Sequence, residues 1–384
     1  MKIAFIYDSA YPWFNGGAEW RRMLIAKKFI NNGDEVHYFT MFRKGMPSFE
    51  FKYNNIYFHC IGNAEDETKM YINKRRNIWW AVKFAMLLIL KLNKEKFDVI
   101  DADAMPYLHL IPIAVYSKIR KVKFIISWAE IWNKKYWISY AGKSIGTIGF
   151  FIEKLCLDLT KYHIMISSKT KQEFISLNKN YKNKEIIVFP CAINSSEIEK
   201  INKKYENKCK EKRLISTNNL FLAIGRLIPE KRFDKAIESI KNTNAKLMII
   251  GIGPEENKLK KLAEKLRISK RVIFKSRLER NELLKKIKTS LGLLMMSRRE
   301  GLSIITLEVI ALKKPVIVDS KTSLPDEVKK LCIISNDKSI KNLINKIIKG
   351  SINLEKHINN NSKIAIENFS DKNTLKIYNK LINS

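Results

Sequence analysis

The sequence predicts an α/β protein made of two doubly wound parallel-sheet domains. Its 384 residues exceed what one hydrophobic core usually holds, and each half is long enough to bury a core of its own. Short apolar runs alternate with helical patterns in both halves, and this strand–helix–strand order favours parallel sheets. Glycine-containing turns follow several of the apolar runs, as a strand that turns sharply into a helix requires.

In the N-terminal half, residues 2–7 form an apolar run that predicts a buried strand. Residues 17–30 predict a helix that ends near Gly33, and residues 36–40 predict the next strand. Later strands of this sheet are predicted at residues 122–128, 162–167 and 186–189. Residues 198–216 are dense in Lys, Glu and Asn and predict a linker or a surface helix between an N-terminal domain of residues 1–197 and a second domain of residues 217–368.

Two carboxylates mark the C-terminal half. Residues 291–296 predict a buried strand; Glu300 lies in the loop that follows, and Glu308 about two turns into the next helix. Ligands bind at the carboxyl ends of strands in open α/β sheets, and a carboxylate there accepts hydrogen bonds from sugar or ribose hydroxyls. The alternative is that Glu300 and Glu308 are ordinary charged residues with no role in binding. Gly301 beside Glu300 and the apolar surroundings of Glu308 favour a binding site.

A phosphate site is predicted beside this pair. The apolar strand at residues 221–224 leads into Gly225, and Arg226 and Lys231 follow on a loop that ends at a helix. A guanidinium, an ammonium and the free N–H groups of a helix N-terminus together suit a phosphate. In so basic a chain, two ordinary surface cations are the alternative. Residues 246–254 predict a strand and a plain glycine turn.

The order of these segments resembles family 4 glycosyltransferases, the retaining, nucleotide-sugar-dependent enzymes of the group 1 (glycogen synthase- and mannosyltransferase-like) kind. The resemblance covers nearly the whole chain. The matching pieces are residues 16–19, 188–194, 225–227 with Lys231 and Asp234, 251–254, and 300–308. The resemblance implies the GT-B fold, with two Rossmann-like domains facing across a cleft and a final helix, residues 369–384, that crosses back to the N-terminal domain.

The resemblance also implies a reaction: retaining, metal-independent transfer of a hexose from a nucleotide diphosphate sugar, UDP- or GDP-linked, to a lipid-linked or glycan acceptor. The N-terminal domain would bind the acceptor and the second domain the donor, with no cofactor besides this co-substrate. Fixed cations aimed at the leaving diphosphate lower such a barrier. The implied donor-binding residues are Gly17, Arg226, Lys231, Glu300, Gly301, Leu302, Ser303 and Glu308. Among them Arg226, Lys231 and Glu300 would be catalytic: the two cations hold the diphosphate and Glu300 lies against the donor sugar, whereas Glu308 would bind the ribose.

One position departs from the family pattern. Related sequences often carry a histidine after the strand at residues 122–128, whereas this chain has Ala129, followed by Glu130. Three explanations stay open: the side chain is dispensable, the enzyme is a weakened variant, or the alignment is shifted. None of the five histidines lies in a matching loop; His37 is expected after the second strand. Glu130 is expected to touch the sugar or acceptor, or else to be a cap or surface charge.

Aromatic residues near this strand are candidates for the acceptor site, because aromatic faces stack on sugars. With Glu130, the expected acceptor-binding residues are Trp128, Trp137 and Tyr140. Asp101-Ala102-Asp103 has the spelling of a metal-binding motif, but it lies far in sequence from the phosphate residues. We therefore expect no metal site there; a strand end that lines the cleft or caps the next helix is favoured.

Composition limits the partners and the location. The net charge of +34 favours anionic partners: nucleotide sugars, polyprenyl-phosphate carriers, an anionic membrane surface or nucleic acid. The basic residues form no recognisable nucleic-acid motif, so a nucleotide- or nucleic-acid-binding protein of this fold is the less favoured alternative. Five cysteines without a CxxC pair, and a start with no signal-peptide pattern, favour the cytoplasm.

Membrane contact is also expected. Residues 74–90 run from basic to aromatic to apolar, and they suit either the membrane interface or a helix packed on the sheet. Residues 132–140 combine aromatic residues with lysines where an acceptor would enter. The protein is therefore expected to lie peripherally on the inner face of the cell membrane.

Overall fold

The computed structural model of the protein describes residues 1–14, 16–63, 71–72, 75–76, 78–211, 219–336 and 339–383, and for residues 71–72, 75–76 and 207–211 it describes the backbone only. The chain forms two compact units. The first comprises Met1–Cys191 with Asp371–Ser384, and the second comprises Ala192–Ser370. The α/β fold class with two parallel-sheet units is confirmed.

The first unit is built on an eight-stranded sheet. Its strands are β1 (Lys2–Ile6), β2 (Glu35–Phe42), β3 (Glu50–Tyr53), β4 (Ile56–Asn63), β7 (Val99–Asp103), β8 (Lys123–Trp128), β9 (Tyr162–Met165) and β10 (Glu185–Val188), and the short β5 (Tyr71–Ile72) and β6 (Arg75–Arg76) pair separately. The order is β10-β9-β8-β7-β1-β2-β4-β3, and only β3 runs antiparallel to its neighbour.

Among the described residues, seven α-helices accompany this sheet: α1 (Gly17–Asn31), α2 (Ile78–Leu92), α3 (Leu110–Arg120), α4 (Lys134–Ala141), α5 (Lys143–Cys156), α6 (Ser168–Leu177) and α15 (Thr374–Ile382). Two of them begin at capping side chains: Asn133 accepts a hydrogen bond from the N–H of Tyr136 at 2.8 Å, and Ser167 accepts one from the N–H of Thr170 at 3.2 Å. Such caps satisfy the donors that a helix start leaves unpaired. Helices α2, α3, α5 and α6 cover the main core of the unit, which includes Phe84, Ile113, Cys156 and Phe174.

The second unit has a six-stranded parallel sheet: β11 (Leu220–Ile224), β12 (Lys246–Ile250), β13 (Val272–Lys275), β14 (Gly292–Met295), β15 (Val316–Asp319) and β16 (Ile333–Ser335), in the order β13-β12-β11-β14-β15-β16. Its helices are α7 (Ser195–Glu211), α8 (Phe233–Ser239), α9 (Glu256–Lys265), α10 (Arg280–Thr289), α11 (Ile304–Ala311), α12 (Asp326–Lys329), α13 (Ile340–Ile348) and α14 (Glu355–Phe369). The inner strands β12, β11, β14 and β15 are apolar and largely buried, as parallel sheets covered by helices require, whereas the edge strands β13 and β16 expose Ile273 and Ile334.

The chain passes between the units after Cys191 and again after Ser370. The segment expected as a linker is largely α7, which packs inside the second unit, where Asn202 donates to the carbonyl of Ala311 at 3.0 Å. The last helix, α15, belongs to the first unit; the ring of Tyr378 packs on Phe29, and Lys123 donates to the carbonyl of Leu381 at 3.1 Å. Residues 212–218 lie outside the described residues.

The aspartate pair Asp101 and Asp103 lies in β7, with Asp103 at the strand end as expected, but neither residue caps the next helix, α3, whose N-cap is His109. Both carboxylates face α1 and are buried against Arg22, whose Nη1 is 2.6 Å from Asp101 and whose Nη2 is 2.6 Å from Asp103. Burial alone would lower the pKa of Arg22, but the two carboxylates raise it well above its ordinary value. Tyr378 and Ser127 donate further hydrogen bonds to Asp101. The pair therefore holds α1 and α15 on the sheet.

His37 and residues 78–90 both lie in regular elements of the first unit. His37 is the third residue of β2, inside the strand predicted at residues 36–40 and not after it. Residues 74–90, expected at a membrane or on the sheet, form α2 from Ile78 onward; its Phe84 and Leu88 are buried on the sheet, while Trp79 and Met86 are exposed. Within the described parts of the chain, we find no helix with the length and apolarity needed to span a membrane.

Candidate functional site

The second unit has one position where strand order reverses. The chain runs outward from β11 to β13, then returns to β14 on the other side of β11. Loops that leave such neighbouring strands at their carboxyl ends diverge to opposite faces and leave a crevice, which is where ligands bind in open α/β sheets. The two loops here are residues 225–232 after β11 and residues 296–303 after β14, and they contain most of the predicted donor residues.

In the first loop, the backbone comes very close to the backbone of the glycine turn after β12. Gly225 and Gly251 have φ values of 148° and 152°, which L side chains rarely adopt. A Cβ atom at Gly251 would lie 1.9 Å from the carbonyl oxygen of Gly225, so only glycine fits. The N–H of Leu227 also donates to the carbonyl of Ile252 at 2.9 Å. The glycine turn after β12 therefore supports the loop that carries Arg226, whose side chain is exposed.

Lys231 and Glu300 meet at this crevice. Lys231 Nζ donates to Glu300 Oε1 at 2.6 Å, and the side chains are 22% and 9% exposed. The two loops are tied together next to the pair, where the N–H of Arg298 and the hydroxyl of Ser297 both donate to the carbonyl of Glu230, at 2.8 and 3.2 Å. The structure thus brings together two residues that are 69 positions apart. It holds an ammonium and a carboxylate in fixed positions at the carboxyl ends of β11 and β14.

The loop after β14 ends in a strained turn. Ser303 precedes α11 with φ 66° and ψ 77°, a left-handed conformation that is uncommon for a residue with a side chain. Its hydroxyl lies 2.8 Å from that of Thr306, and the neighbouring Leu302 is buried. The N-terminal N–H groups of α11 carry the positive end of the helix dipole, which favours negative charge. Gly301, Leu302 and Ser303 therefore bring backbone, not reactive side chains, to the crevice.

Glu308 lies about one turn into α11, nearer the helix start than expected. Arg280 of α10 holds it: the Nη2 atom of this guanidinium is 2.6 Å from Glu308 Oε1 and 2.8 Å from Oε2 of Glu197 on α7. Burial would lower the pKa of Arg280, but the two carboxylates raise it above its ordinary value. Sequence reasoning missed Arg280 and Glu197, because the three helices that meet here are far apart along the chain.

In the first unit the strand order reverses between β1 and β7, and the loop after β1 leads to Gly17 at the exposed start of α1. Glu19, two residues further in the first turn of α1, is buried and accepts a hydrogen bond from the hydroxyl of Ser9 at 2.9 Å. Burial raises the pKa of Glu19 to about 7, partly offset by hydrogen bonds from its own N–H and from Ser9. A carboxyl of this kind is partly protonated at neutral pH.

The expected acceptor residues lie at the end of β8, in the loop after it and in α4, and they differ in how deeply they are buried. Trp128 is 1% exposed in the main core, and its Nε1–H donates to Nδ1 of His163 at 3.1 Å. Such a position favours a structural role over the acceptor contact expected from the sequence. Glu130 is half-buried and accepts from Nε1 of Trp132 at 3.1 Å, while the ring of Tyr140 packs edge-on against Trp132.

Glu153 on α5 organises this loop, and sequence reasoning missed it. The carboxylate is fully buried and accepts three hydrogen bonds: from the hydroxyl of Tyr107 at 2.8 Å, the N–H of Trp132 at 2.8 Å and Nε1 of Trp137 at 2.7 Å. Trp137 is half-buried and packs on Gly149, where any side chain would collide with the indole. Among the expected acceptor residues, Glu130 and Tyr140 therefore have the side chains that are packed least into the interior.

Comparisons with known proteins agree with this geometry. Residues 204–364, which contain the switch point of the second unit, match the family model described as glycosyl transferases group 1. Two uncharacterized glycosyltransferases of Methanocaldococcus jannaschii are similar over most of their length. MJ1607 is 27% identical over 86% of this chain and 83% of its own, and MJ1059 is 29% identical over 73% and 71%.

Solved structures agree on the fold. Sucrose-phosphate synthase from Thermosynechococcus elongatus superposes with a TM-score of 0.78 at 14% identity, over 100% of this chain and 99% of its own. WaaG, a glycosyltransferase involved in lipopolysaccharide biosynthesis, gives 0.71 at 16% identity over 100% of both chains. Anabaena HepE in complex with UDP and glucose gives 0.70 at 14% identity over 100% of both chains. These structures show the GT-B fold, and the family model with the two named relatives identifies the chain as a glycosyltransferase whose residues 204–364 match the group 1 description.

Proposed function

We propose that the protein is a retaining, metal-independent hexosyltransferase that moves a sugar from a nucleotide diphosphate sugar to a lipid-linked or glycan acceptor. The observation that carries this proposal is the Lys231–Glu300 ion pair at the switch point of the group 1 region. Retention follows from the family 4 resemblance of the sequence. The donor class is supported by the GT-B neighbour HepE, whose structure contains UDP and glucose.

In this proposal the Lys231 ammonium binds the diphosphate of the donor, together with the guanidinium of Arg226 on the same loop. Negative charge grows on the diphosphate as the anomeric carbon–oxygen bond breaks, so cations fixed in advance stabilise the transition state more than the ground state. Glu300 keeps Lys231 in place before the donor arrives. Once the diphosphate neutralises the ammonium, the Glu300 carboxylate accepts hydrogen bonds from the sugar hydroxyls.

Transfer and hydrolysis with a panel of UDP- and GDP-linked hexoses test this function. We expect turnover with at least one donor and release of the matching nucleoside diphosphate, with metal chelator present. Nucleotide binding without any turnover would instead identify a weakened enzyme, as the absence of a histidine at Ala129 allows. Binding of DNA or RNA at physiological salt, without affinity for nucleotide sugars, would overturn the proposal in favour of a nucleic-acid-binding protein.

Glu308 is proposed to accept hydrogen bonds from the nucleotide ribose. Changing Glu308 to Ala should weaken nucleoside diphosphate binding about 10- to 100-fold, because hydrogen bonds to a charged acceptor contribute about 1.5–3 kcal/mol. Titration calorimetry measures the dissociation constants. The Glu308 side chain is 3% exposed, so the ribose hydroxyls can reach it only where one carboxylate oxygen faces the crevice.

Glu197→Ala is the matched control for Glu308→Ala. It removes the other carboxylate that holds Arg280 but leaves Glu308 in place. We expect this variant to bind nucleotide within about twofold of the wild type. Equal weakening in both variants would show that the Arg280 network, and not a ribose contact, supports binding.

We also propose that the first unit contacts an anionic membrane, which would place a cytoplasmic enzyme beside a lipid-linked acceptor. Ile145, Ile148, Phe151 and Leu155 are each 54–58% exposed and follow helical spacing along one face of α5. Lys143 and Lys154 are exposed on the same helix. An apolar stripe beside lysines suits the boundary between acyl chains and anionic headgroups.

Changing both Ile148 and Phe151 to Glu should reduce co-sedimentation with vesicles of phosphatidylglycerol and phosphatidylcholine at least tenfold. Each apolar side chain contributes about 1.5–3 kcal/mol when fully buried, and the new charges are repelled. Ile334→Glu, at an exposed isoleucine of the second unit, is the control and should bind like the wild type. Unchanged vesicle binding by the double variant would count against a membrane role for α5.

A further inference from the structure

Two histidines of the first unit face each other on neighbouring strands. His37 of β2 and His59 of β4 lie on the same face of the sheet, since β2 and β4 pair with His37 opposite Tyr57 and Phe39 opposite His59. Their rings are parallel within 3°, and His37 Nδ1 is 2.7 Å from His59 Nε2. Two imidazole nitrogens at this separation share a hydrogen, or they can hold a metal ion between them after a small movement.

The outer ring nitrogens are held by carboxylates. His37 Nε2 lies 2.7 Å from Glu35 Oε1, and His59 Nδ1 lies 2.6 Å from Glu50 Oε2. A carboxylate accepts, so in each neutral ring it holds the N–H on the outer nitrogen. The inner nitrogens, which face each other, then carry the lone pairs. Metal-binding histidines have this same arrangement, with the second ring nitrogen donating to a carboxylate.

A third ligand lies beside the rings. Glu95 precedes β7, and its Oε2 is 3.7 Å from His37 Nδ1. The candidate ligand atoms of His37, His59 and Glu95 all lie within 4.8 Å of one another. Lys2 also contacts Glu95, and it lies 2.9 Å from Glu35, so it offsets part of the negative charge of the cluster.

We propose that His37, His59 and Glu95 form a binding site for a divalent transition metal of the Zn²⁺ class. Two imidazoles and one carboxylate suit Zn²⁺ and leave a fourth position for water. With Zn–N distances of about 2.0–2.1 Å, the two nitrogens would lie about 3.3 Å apart, so the rings need to separate by about 0.6 Å.

The site would stabilise the first unit without taking part in sugar transfer. Its residues lie toward the amino-terminal ends of β2 and β7, whereas the loops after β1 and β8 leave from the carboxyl ends. A metal would join β2, β4 and the segment before β7. Because it binds the folded chain and not the unfolded one, it raises the melting temperature by mass action.

Zinc binding to the full chain tests the proposal. After treatment with chelator and its removal, the protein should take up one Zn²⁺ per chain and melt about 5 °C or more higher with Zn²⁺ in excess. The increase should be smaller at pH 5.5 than at pH 7.5, because protons compete for the imidazoles. Co²⁺ in place of Zn²⁺ should give the visible absorption of a low-coordinate nitrogen and oxygen site.

His59→Gln and Glu95→Gln should each lose the zinc-dependent shift, and His357→Gln, at a histidine on α14 of the second unit, should keep it. Glu95 is partly exposed and its amide analogue conserves size, so this variant stays informative if His59→Gln does not fold. Failure to bind Zn²⁺, or equal binding by Glu95→Gln and wild type, would overturn the proposal. The histidines would then share only a proton.

Discussion

Lys231→Ala is expected to slow sugar transfer about 100- to 1000-fold, the loss typical when one preorganised charge donor is removed from a transition state. The side chain lies at the switch point of the second sheet, fixed 2.6 Å from Glu300. Initial rates with the donor found in the panel measure the effect. The loss should fall mainly on kcat, because the charge that Lys231 stabilises develops as the bond breaks.

Two controls separate this loss from a loss of fold. Lys258→Ala removes an exposed lysine on α9 of the same unit and should leave the rate unchanged. Lys231→Met combined with Glu300→Gln removes both charges, so neither is left alone in a partly buried site. This double variant should fold and melt like the wild type yet stay as slow as Lys231→Ala. A wild-type rate in Lys231→Ala would refute the diphosphate assignment.

Arg22→Met should destabilise the first unit by about 3–5 kcal/mol, because it leaves the carboxylates of Asp101 and Asp103 buried without their cation. Burial already raises the pKa of Asp103, with Arg22 opposing that shift, and without Arg22 the pKa would rise further. Urea unfolding followed by fluorescence and circular dichroism measures the change in the free energy of unfolding.

The control for Arg22→Met is Arg120→Met, which removes an exposed arginine from α3 of the same unit and should cost less than about 0.5 kcal/mol. Adding Asp101→Asn and Asp103→Asn to Arg22→Met should recover part of the lost stability, since the buried charges disappear together. Equal stability of Arg22→Met and the wild type would show that the network contributes nothing to the fold.

The strands and the loop residues that follow them could be predicted from the sequence. Apolar runs in a parallel sheet are short and nearly continuous, so β11, β12 and β14 are predicted within one or two residues. Lys231 and Glu300 belong to loops that leave neighbouring strands, and a family pattern marks both. Their meeting at 2.6 Å follows from strand order, which the resemblance supplies and local pattern does not.

Residues that act through distant contacts were not predictable in the same way. Arg280 joins Glu308 to Glu197, yet nothing near it in sequence distinguishes it from other cations of a basic chain. Trp128 was expected at the acceptor site because it ends a strand, but strand residues alternate between faces and this one points into the core. The role of Asp101 and Asp103 depends on Arg22, which another helix supplies.

The path of the chain between the units has a consequence for biosynthesis. The second unit is one uninterrupted stretch, Ala192–Ser370, whereas the first needs both Met1–Cys191 and Asp371–Ser384. A ribosome that makes the chain from its first residue thus releases every residue of the second unit before it supplies Tyr378, the partner of Asp101. The first unit of the nascent chain therefore lacks α15 until the ribosome has translated the whole second unit. Until then, the surface around Phe29 that α15 covers in the folded protein stays uncovered.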